Sequence, residues 1–391
     1  MSSKPKLVIL LSRFPFPLIK GDKLRAYHQI KELSDFYEIH CVCISDERVS
    51  VQDKEQVERY CKTLTIYRIH RLFSWLNALR YFLSSRPAQV GYFYRSIIQY
   101  KFNKQLALIQ PDHLYCQLIR TAVYVSQYHG CKKTIDYMDA LSKGIERRIA
   151  LAKSYEKWIF KKEASSLVRF ENLCFDFFDH HCIISEADQQ CIYHPERNKI
   201  EIIRNGVDQT HFENLQQEKR WDVIFTGNMG YAANIEAAQF IELTLLPLFI
   251  HQKMDIKILI VGASMPAALI KRSNKNIEFK SFVPDIRKYI QSARTYIAPM
   301  TIGTGLQNKL LEAMAAGTPT VTTQLCNTSL RATHNSTILL ADSPTEMISA
   351  VFQLLNDESF SKQLSENAKT FVSQNYSWKA ESLKLVKIFS K

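Results

Sequence analysis

PMTIGTGLQNKLLEAMAAGTPTV, residues 299–321, leaves an apolar run, TYIAP (Thr295 to Pro299), turns through Gly303-Thr304-Gly305 and enters a helical stretch. The run reads as a buried strand. In the helix, Lys309 and Glu312 stand three residues apart and share one face. Leu310, Leu311, Met314 and Ala315 form the packing stripe. Gly317 ends the helix, and Pro319 follows where a stop belongs. A strand, a glycine turn and a helix N-terminus make an anion site, because the first N–H groups have no partner inside the helix. The helix dipole favours a nearby negative charge by roughly 0.3–1 kcal/mol. Lys309 supplies a cation for phosphate oxygens, and Glu312 an acceptor for vicinal hydroxyls such as those of a ribose. One helix end can thus hold both polar parts of a nucleoside diphosphate. A GTG by itself is as readily a plain turn in an α/β layer, since short glycine motifs recur by accident. The neighbouring elements decide between the two.

Upstream, short apolar strands alternate with helical stretches. LVILLS precedes a helix from about Lys23 to Phe36. EIHCVCIS, a helix near Gln52 to Cys61, LTIYRIH, HLYCQL and KKTIDYMD continue the pattern. Between them, Leu72 to Ser84 (LFSWLNALRYFLS) reads as an apolar-rich helix, either packed in the core or lying on a membrane. One long helix is expected from about Lys143 to Phe178. After HCIIS (181–185) the alternation resumes with KIEIIRNGVD, WDVIFTGNM, a helix from about Asn234 to Phe249, DIKILIVGA and IEFKSFV, and helices near the C-terminus. Such βαβ alternation predicts parallel sheets with helices on both faces. Two doubly wound halves place a ligand crevice beyond the carboxyl ends of their strands. Gly21, Gly206, Gly227, Gly262 and Gly303/Gly305 all fall at such strand ends.

The chain has 391 residues, enough for two ordinary domains. Hydrophobic content of 46% supports substantial cores. No run reaches the ~18 apolar residues that span a bilayer, and Leu7 to Leu11 is too short for a secretory signal core. Nine scattered cysteines without a CxxC pair argue against structural zinc or a disulfide framework and predict buried thiols in a reducing cytoplasm. The net charge is +13. Residues 1–185 hold 29 Lys+Arg against 18 Asp+Glu, while 186–391 hold 22 against 20. The basic first half predicts an anionic partner or simply well-solvated helix faces. No nucleic-acid-binding pattern is present, so the anionic partner expected is a membrane surface.

The strings IIRNGVD (202–208), FTGNMGYAAN (225–234), ILIVG (258–262), FVPDI (282–286) and GTGLQNKLLEAMAAGTPTV (303–321) resemble, in order and spacing, the donor half of retaining glycosyltransferases of the GT-B type, family 4. LSRFPFPLIKGDKLRAYHQIKELS near the start is similar to that family's acceptor-side glycine loop. The resemblance is nearest to bacterial transferases that build exported polysaccharides. It implies two Rossmann-like doubly wound domains facing across a cleft: 1–185 for the acceptor, 186–373 for the nucleotide-sugar donor, and 374–391 as a helix crossing back. It implies that Glu312 binds the ribose, that amides of Thr304, Gly305 and Leu306 hold the diphosphate, that Gly227 and Asn228 border it, and that Val283 lies against the base. Gly21 would let the first loop approach the donor, and Lys23 and Arg25 would meet phosphate or an anionic acceptor. Gly262 and Gly303 join the donor-binding set at their strand ends. Two positions depart from the family pattern. Thr304 stands where an earlier glutamate is usual, and Asn228 and Ala233 stand where cations are usual, so Lys309 is expected to carry that charge.

In such a reaction the leaving diphosphate gains charge and must be met by aimed donors. Retaining members let the leaving phosphate take the acceptor's proton, so no protein nucleophile is required. Lys309 is the expected catalytic cation, and Asp136 and Asp139, closing KKTIDYMD, are expected to orient the acceptor. Asp139 is equally placed to cap the next helix. His180 and His181 read as structural. No metal or cofactor is expected; the partners are a nucleotide sugar and a glycan or lipid-linked acceptor, with no nucleic acid and a peripheral contact with an anionic membrane at its cytoplasmic face. An epimerase of the same architecture and a non-catalytic sugar-nucleotide-binding protein remain open.

Overall fold

The apolar runs pair as two parallel sheets. The computed structural model describes residues 4–301 and 306–391. Seven strands form the first sheet: β1 (Lys6–Leu11), β2 (Glu38–Ser45), β3 (Thr63–Arg68), β4 (His113–Gln117), β5 (Lys132–Asp136), β6 (His180–Ile183) and β7 (Glu201–Ile202). Six form the second: β8 (Trp221–Thr226), β9 (Ile258–Val261), β10 (Ile277–Lys280), β11 (Ala293–Ala298), β12 (Thr320–Thr322) and β13 (Leu339–Leu340). The orders are β3-β2-β1-β4-β5-β6-β7 and β10-β9-β8-β11-β12-β13. All of these pairings are parallel. β1 and β8 are central strands buried on both faces, so their sequences are continuous apolar runs rather than alternating ones. The strand order reverses next to β1 and next to β8. At these switch points the connections diverge and leave a crevice beyond the carboxyl ends.

The chain forms two units: Met1–Arg204 with Trp378–Lys391, and Asn205–Ser377. The first boundary lies later than the 185 expected. β7 pairs with β6 through Cys182↔Glu201, which keeps residues 186–204 with the first sheet. A two-residue edge strand carries too little apolar pattern to announce itself. Trp378–Phe389 packs on helix Gly21–Leu33 within unit 1. Leu385 and Ile388 are buried, Phe389 stacks on His113 at 4.4 Å, and Trp378 stacks on His28 at 4.8 Å.

The single helix expected from Lys143 to Phe178 is two, Leu141–Leu151 and Ser154–Phe177. Ala152 and Lys153 are extended, and the Glu156 carboxylate accepts from the Lys153 N–H at 3.0 Å, starting the second helix afresh. Ala232–His251 is long and apolar enough by composition to cross a membrane. Its Ala237, Ala238, Ile241, Leu245 and Phe249 are core residues of unit 2, so packing accounts for that composition.

Candidate functional site

The helix Asn308–Ala315 follows the carboxyl end of β11, beside the switch point of unit 2. Leu310, Leu311, Ala313, Met314 and Ala315 bury its inner face. Gly317, at φ 72°, closes it. Its N–H reaches Met314 O and that of Thr318 reaches Ala313 O, the paired bonds of a left-handed helix stop. At the other end, Gln307 makes no side-chain cap, and its carbonyl accepts from Leu310 N at 2.9 Å; a helix start of this kind presents amides to an acceptor. Gly303, Thr304 and Gly305 lie outside the described residues. Leu306 is described and packs, half-buried, against the core of unit 2.

Lys309 crosses to the end of β8. Its Nζ donates to Asn234 Oδ1, lies 3.6 Å from the Met300 sulfur, and sits 5.1 Å above the Phe225 ring. Burial pushes its pKa down to about 8, against a smaller upward pull from Cys326 and Glu312. A positive charge is therefore held where water solvates it poorly, and an anion next to it would relieve the penalty. Asn234 is placed in turn by donating through Nδ2 to Asn228 O at 2.8 Å. The Asn228 side chain accepts from Gly230 N at 2.8 Å, so it shapes the turn. Glu312 is half-buried on the same helix. Burial raises its pKa, while His211 and Lys309 pull it back. Among the described residues no donor reaches its carboxylate. The helix face thus carries one cation and one acceptor, each short of partners of its own kind.

Two glycines of the expected donor set also meet packing constraints of their own. A Cβ on Gly262 would lie 1.7 Å from Gly227 O. Gly262 is glycine because the loops after β8 and β9 touch, which explains it without a ligand. A Cβ on Gly227 would come within 2.9 Å of the Asn234 side chain. Val283 is half-buried against the core of unit 2 next to Phe282, which is 68% exposed.

In unit 1 the expectations for Arg25 and Asp136 are corrected. Both side chains are 0% exposed and join at 2.6 Å. Asp136 Oδ2 also accepts from the Tyr115 hydroxyl at 2.6 Å and Gln29 Nε2 at 3.4 Å, while Oδ1 accepts from Met138 N at 3.0 Å. Burial works against the Arg25 charge, and Asp136 outweighs it to raise the pKa. Neither group can reach a substrate. Lys23 is likewise buried, 2.6 Å from Glu47. Gly21 is exposed at the start of its helix, after β1.

Asp139 is different. The bonds of Asp136 hold a tight turn in which Met138 takes φ 62° and Asp139 N donates to Tyr137 O at 2.9 Å. That turn sets Asp139 at the solvent. It does not cap the following helix, whose N-cap is Ala140. Crowding by protein, then the charge of Asp188, raises its pKa to about 6. Its carboxylate remains open to solvent. His181, buried and stacked on Phe175 at 4.2 Å, has its pKa pushed down to about 4 by burial, as befits a core imidazole.

Sequence reasoning missed several groups. Asn205, from IIRNGVD, donates through Nδ2 to Asn308 Oδ1 at 3.1 Å and so ties that motif to the helix N-terminus. His211, just after it, lies near enough to Glu312 to act on that carboxyl. Its Nδ1 is buried without a hydrogen-bond partner among the described residues. The fixed spacing of IIRNGVD from the GTG string was the available signal. In unit 1, a hollow of about 360 Å³ opens beyond β1 and β2, lined among others by Arg13, Glu47, Trp75, Tyr92 and Arg120. Neither Asp136 nor Asp139 lines it.

Residues 220–357 match the family described as glycosyl transferases group 1. An uncharacterised 44.6 kDa protein in the cps region of Klebsiella pneumoniae is 22% identical over 95% of this chain and 96% of its own length. An uncharacterised glycosyltransferase of Methanocaldococcus jannaschii is 24% identical over 49% of this chain and 53% of its own. Among solved structures, sucrose-phosphate synthase of Thermosynechococcus elongatus superposes with a TM-score of 0.70 at 14% identity, covering 98% of both chains. Anabaena HepE, solved with UDP-glucose, gives 0.69 at 13% over 98% and 99%. TarM of S. aureus gives 0.69 at 11% over 99% and 100%. The likeness establishes the fold shared with GT-B transferases. The segment similar to the group 1 glycosyl transferases lies inside unit 2, around helix Asn308–Ala315.

Proposed function

We propose that the chain is a retaining, family 4 glycosyltransferase that moves a sugar from a nucleotide-sugar donor to a glycan or lipid-linked acceptor in polysaccharide assembly. The observation that carries this is the half-buried, partly desolvated Lys309 at the start of helix Asn308–Ala315, which has no side-chain cap, with Glu312 one turn on. Lys309, with the amides of Thr304, Gly305 and Leu306, meets the leaving diphosphate. Glu312 takes the ribose hydroxyls, Gly227 and Asn228 border the phosphates, and Val283 lies by the base. Charge building on the leaving oxygens is stabilised by donors already in place. The leaving phosphate takes the acceptor's proton on the face it departs from, so no enzyme nucleophile is used. Asp139, exposed in unit 1, orients the acceptor. Solved relatives carry UDP and UDP-glucose, which makes a uridine donor the first to test. The cps-region relative favours a role in polysaccharide assembly, in the cytoplasm at the membrane's inner face. An epimerase is not favoured, since the matched family is one of transferases.

A thermal-shift panel of nucleotide sugars should single out one donor, because a bound ligand raises apparent stability. That donor should release free nucleoside diphosphate only when acceptor is added. Release without acceptor, or donor interconversion alone, would count against transfer.

The lowered pKa of Lys309 predicts a pH dependence. The folded state disfavours the ammonium, so the free protein gains stability as pH rises from about 8 towards the ordinary lysine value of ~10.4. A bound diphosphate restores the charge and takes up that proton. Its affinity should therefore fall above about pH 8, by up to about tenfold per pH unit. Calorimetric titration of the nucleoside diphosphate across that range checks this; a flat profile would remove Lys309 from the phosphate.

A further inference from the structure

Helix Arg71–Leu83 is inside out for a soluble protein. It attaches through a narrow stripe: Ser74 and Ala78 are buried, and Asn77 Nδ2 donates to Gly91 O at 2.7 Å and Tyr94 O at 3.1 Å. Gly91 is open enough only because it has no side chain, since a Cβ there would lie 2.5 Å from the Tyr81 ring. The large apolar residues point the other way: Leu72, Phe73, Trp75, Leu76, Leu79 and Leu83 are 54–68% exposed. Of the two readings of this helix, packed in a core or lying on a surface, the open face excludes the first. Contiguous exposed apolar surface of this kind marks an interaction site.

Charge names the partner. From residue 59 to residue 111 the chain has nine Lys and Arg and no Asp or Glu. A groove of about 970 Å³ beside the helix is lined by Phe73, Leu76 and Ile97 with Arg68, Arg80 and Lys101 among others, and by no carboxylate. Among the described residues, none of these three cations is in an ion pair. The face continues onto helix Ser154–Phe177. Phe82 meets Trp158 edge-on at 5.7 Å, Trp158 is 62% exposed, and Lys162 lies 4.7 Å from the Phe82 ring. Leucines and exposed tryptophans rimmed by more Lys and Arg than acids, Asp46 being paired with Arg71 at one end of the helix, match the chemistry of the zone where lipid headgroups meet acyl chains.

We propose that the outward face of helix Arg71–Leu83, extended by Trp158, docks on an anionic lipid bilayer with Arg68, Arg80 and Lys101 on the headgroup phosphates. The surface gives a location to the membrane-side acceptor proposed above. Its failure would leave the donor chemistry standing, because turnover on a soluble acceptor reads that separately.

The test is flotation of the full chain with phosphatidylcholine vesicles, with and without phosphatidylglycerol. Binding is expected with phosphatidylglycerol and should be at least roughly tenfold weaker without it, declining with salt. Leu76→Asp/Leu79→Asp should abolish it. These side chains are already exposed, so the melting curve should stay in place; should it move, Leu72→Ser serves in its stead. Arg68→Gln/Arg80→Gln/Lys101→Gln should remove the preference for the anionic lipid. No flotation of the wild type, or flotation unchanged by these substitutions, would overturn the proposal. So would displacement by inorganic phosphate alone, which would make the groove a free-phosphate site. A concentration-dependent dimer lost in Leu76→Asp/Leu79→Asp without vesicles would assign the face to a second copy instead and overturn it too.

Discussion

Asp136→Ala should cost the chain about 3–5 kcal/mol of stability, because it strands the Arg25 guanidinium in the core of unit 1. Three more donors lose their acceptor with it: Tyr115 Oη, Gln29 Nε2 and Met138 N. A buried pair need not be favourable overall to make this loss large, since breaking one partner leaves an uncompensated charge away from water. Asp136→Asn keeps the shape and removes only the charge, so it should fall between wild type and alanine. Arg25→Met/Asp136→Leu removes both charges and should recover part of the loss. Urea unfolding of the four proteins measures this directly. A shift within about 1 kcal/mol for Asp136→Ala would mean that the network contributes little. Because Asp136 Oδ1 also holds the turn at Met138, its loss should disorder Asp139, and activity should fall together with stability.

Lys309→Met should act in the opposite way on the two observables. Methionine keeps an unbranched apolar stem and deletes the ammonium that lies over Phe225 and beside the Met300 sulfur. Donor turnover should drop roughly 100- to 1,000-fold in kcat, the order seen when one aimed donor to a developing negative charge is removed. Stability should hold or rise. A lysine whose folded pKa lies below its unfolded value is a charge that folding disfavours, and at neutral pH the variant is spared that cost. Steady-state kinetics and thermal melting of the same preparation separate the readings. A variant that melts much earlier would make Lys309 a structural anchor for Asn234, and one with ordinary kcat would free the diphosphate from it.

The parts of the fold legible in the sequence are those set by local signals. Gly317 and the stripe of Leu310, Leu311 and Met314 announce a helix and its end without reference to anything distant. The apolar runs LVILL and ILIV announce buried parallel strands in the same way. What depended on distance was not legible. Arg25 and Asp136 are 111 positions apart, and nothing near either residue says that they meet in the core. Asp136 and Asp139, three residues apart on paper, have opposite fates because Met138 turns the chain through a positive φ between them. Gly262 looked like a ligand glycine, and only the carbonyl of Gly227 reveals why it has no side chain. The periodicity of residues 72–84 told that a helix has an apolar face. It could not tell that Gly91 and Tyr94 would capture the polar stripe and leave that face outward.

A crystal structure of the chain with its preferred nucleoside diphosphate tests the central claim most directly. The account predicts the diphosphate at the start of helix Asn308–Ala315, with Lys309 Nζ within hydrogen-bond distance, about 2.7–3.2 Å, of a phosphate oxygen and the Glu312 carboxylate on the ribose hydroxyls. A nucleotide bound elsewhere, with Lys309 still turned to Asn234 and Glu312 without a ligand, would contradict it.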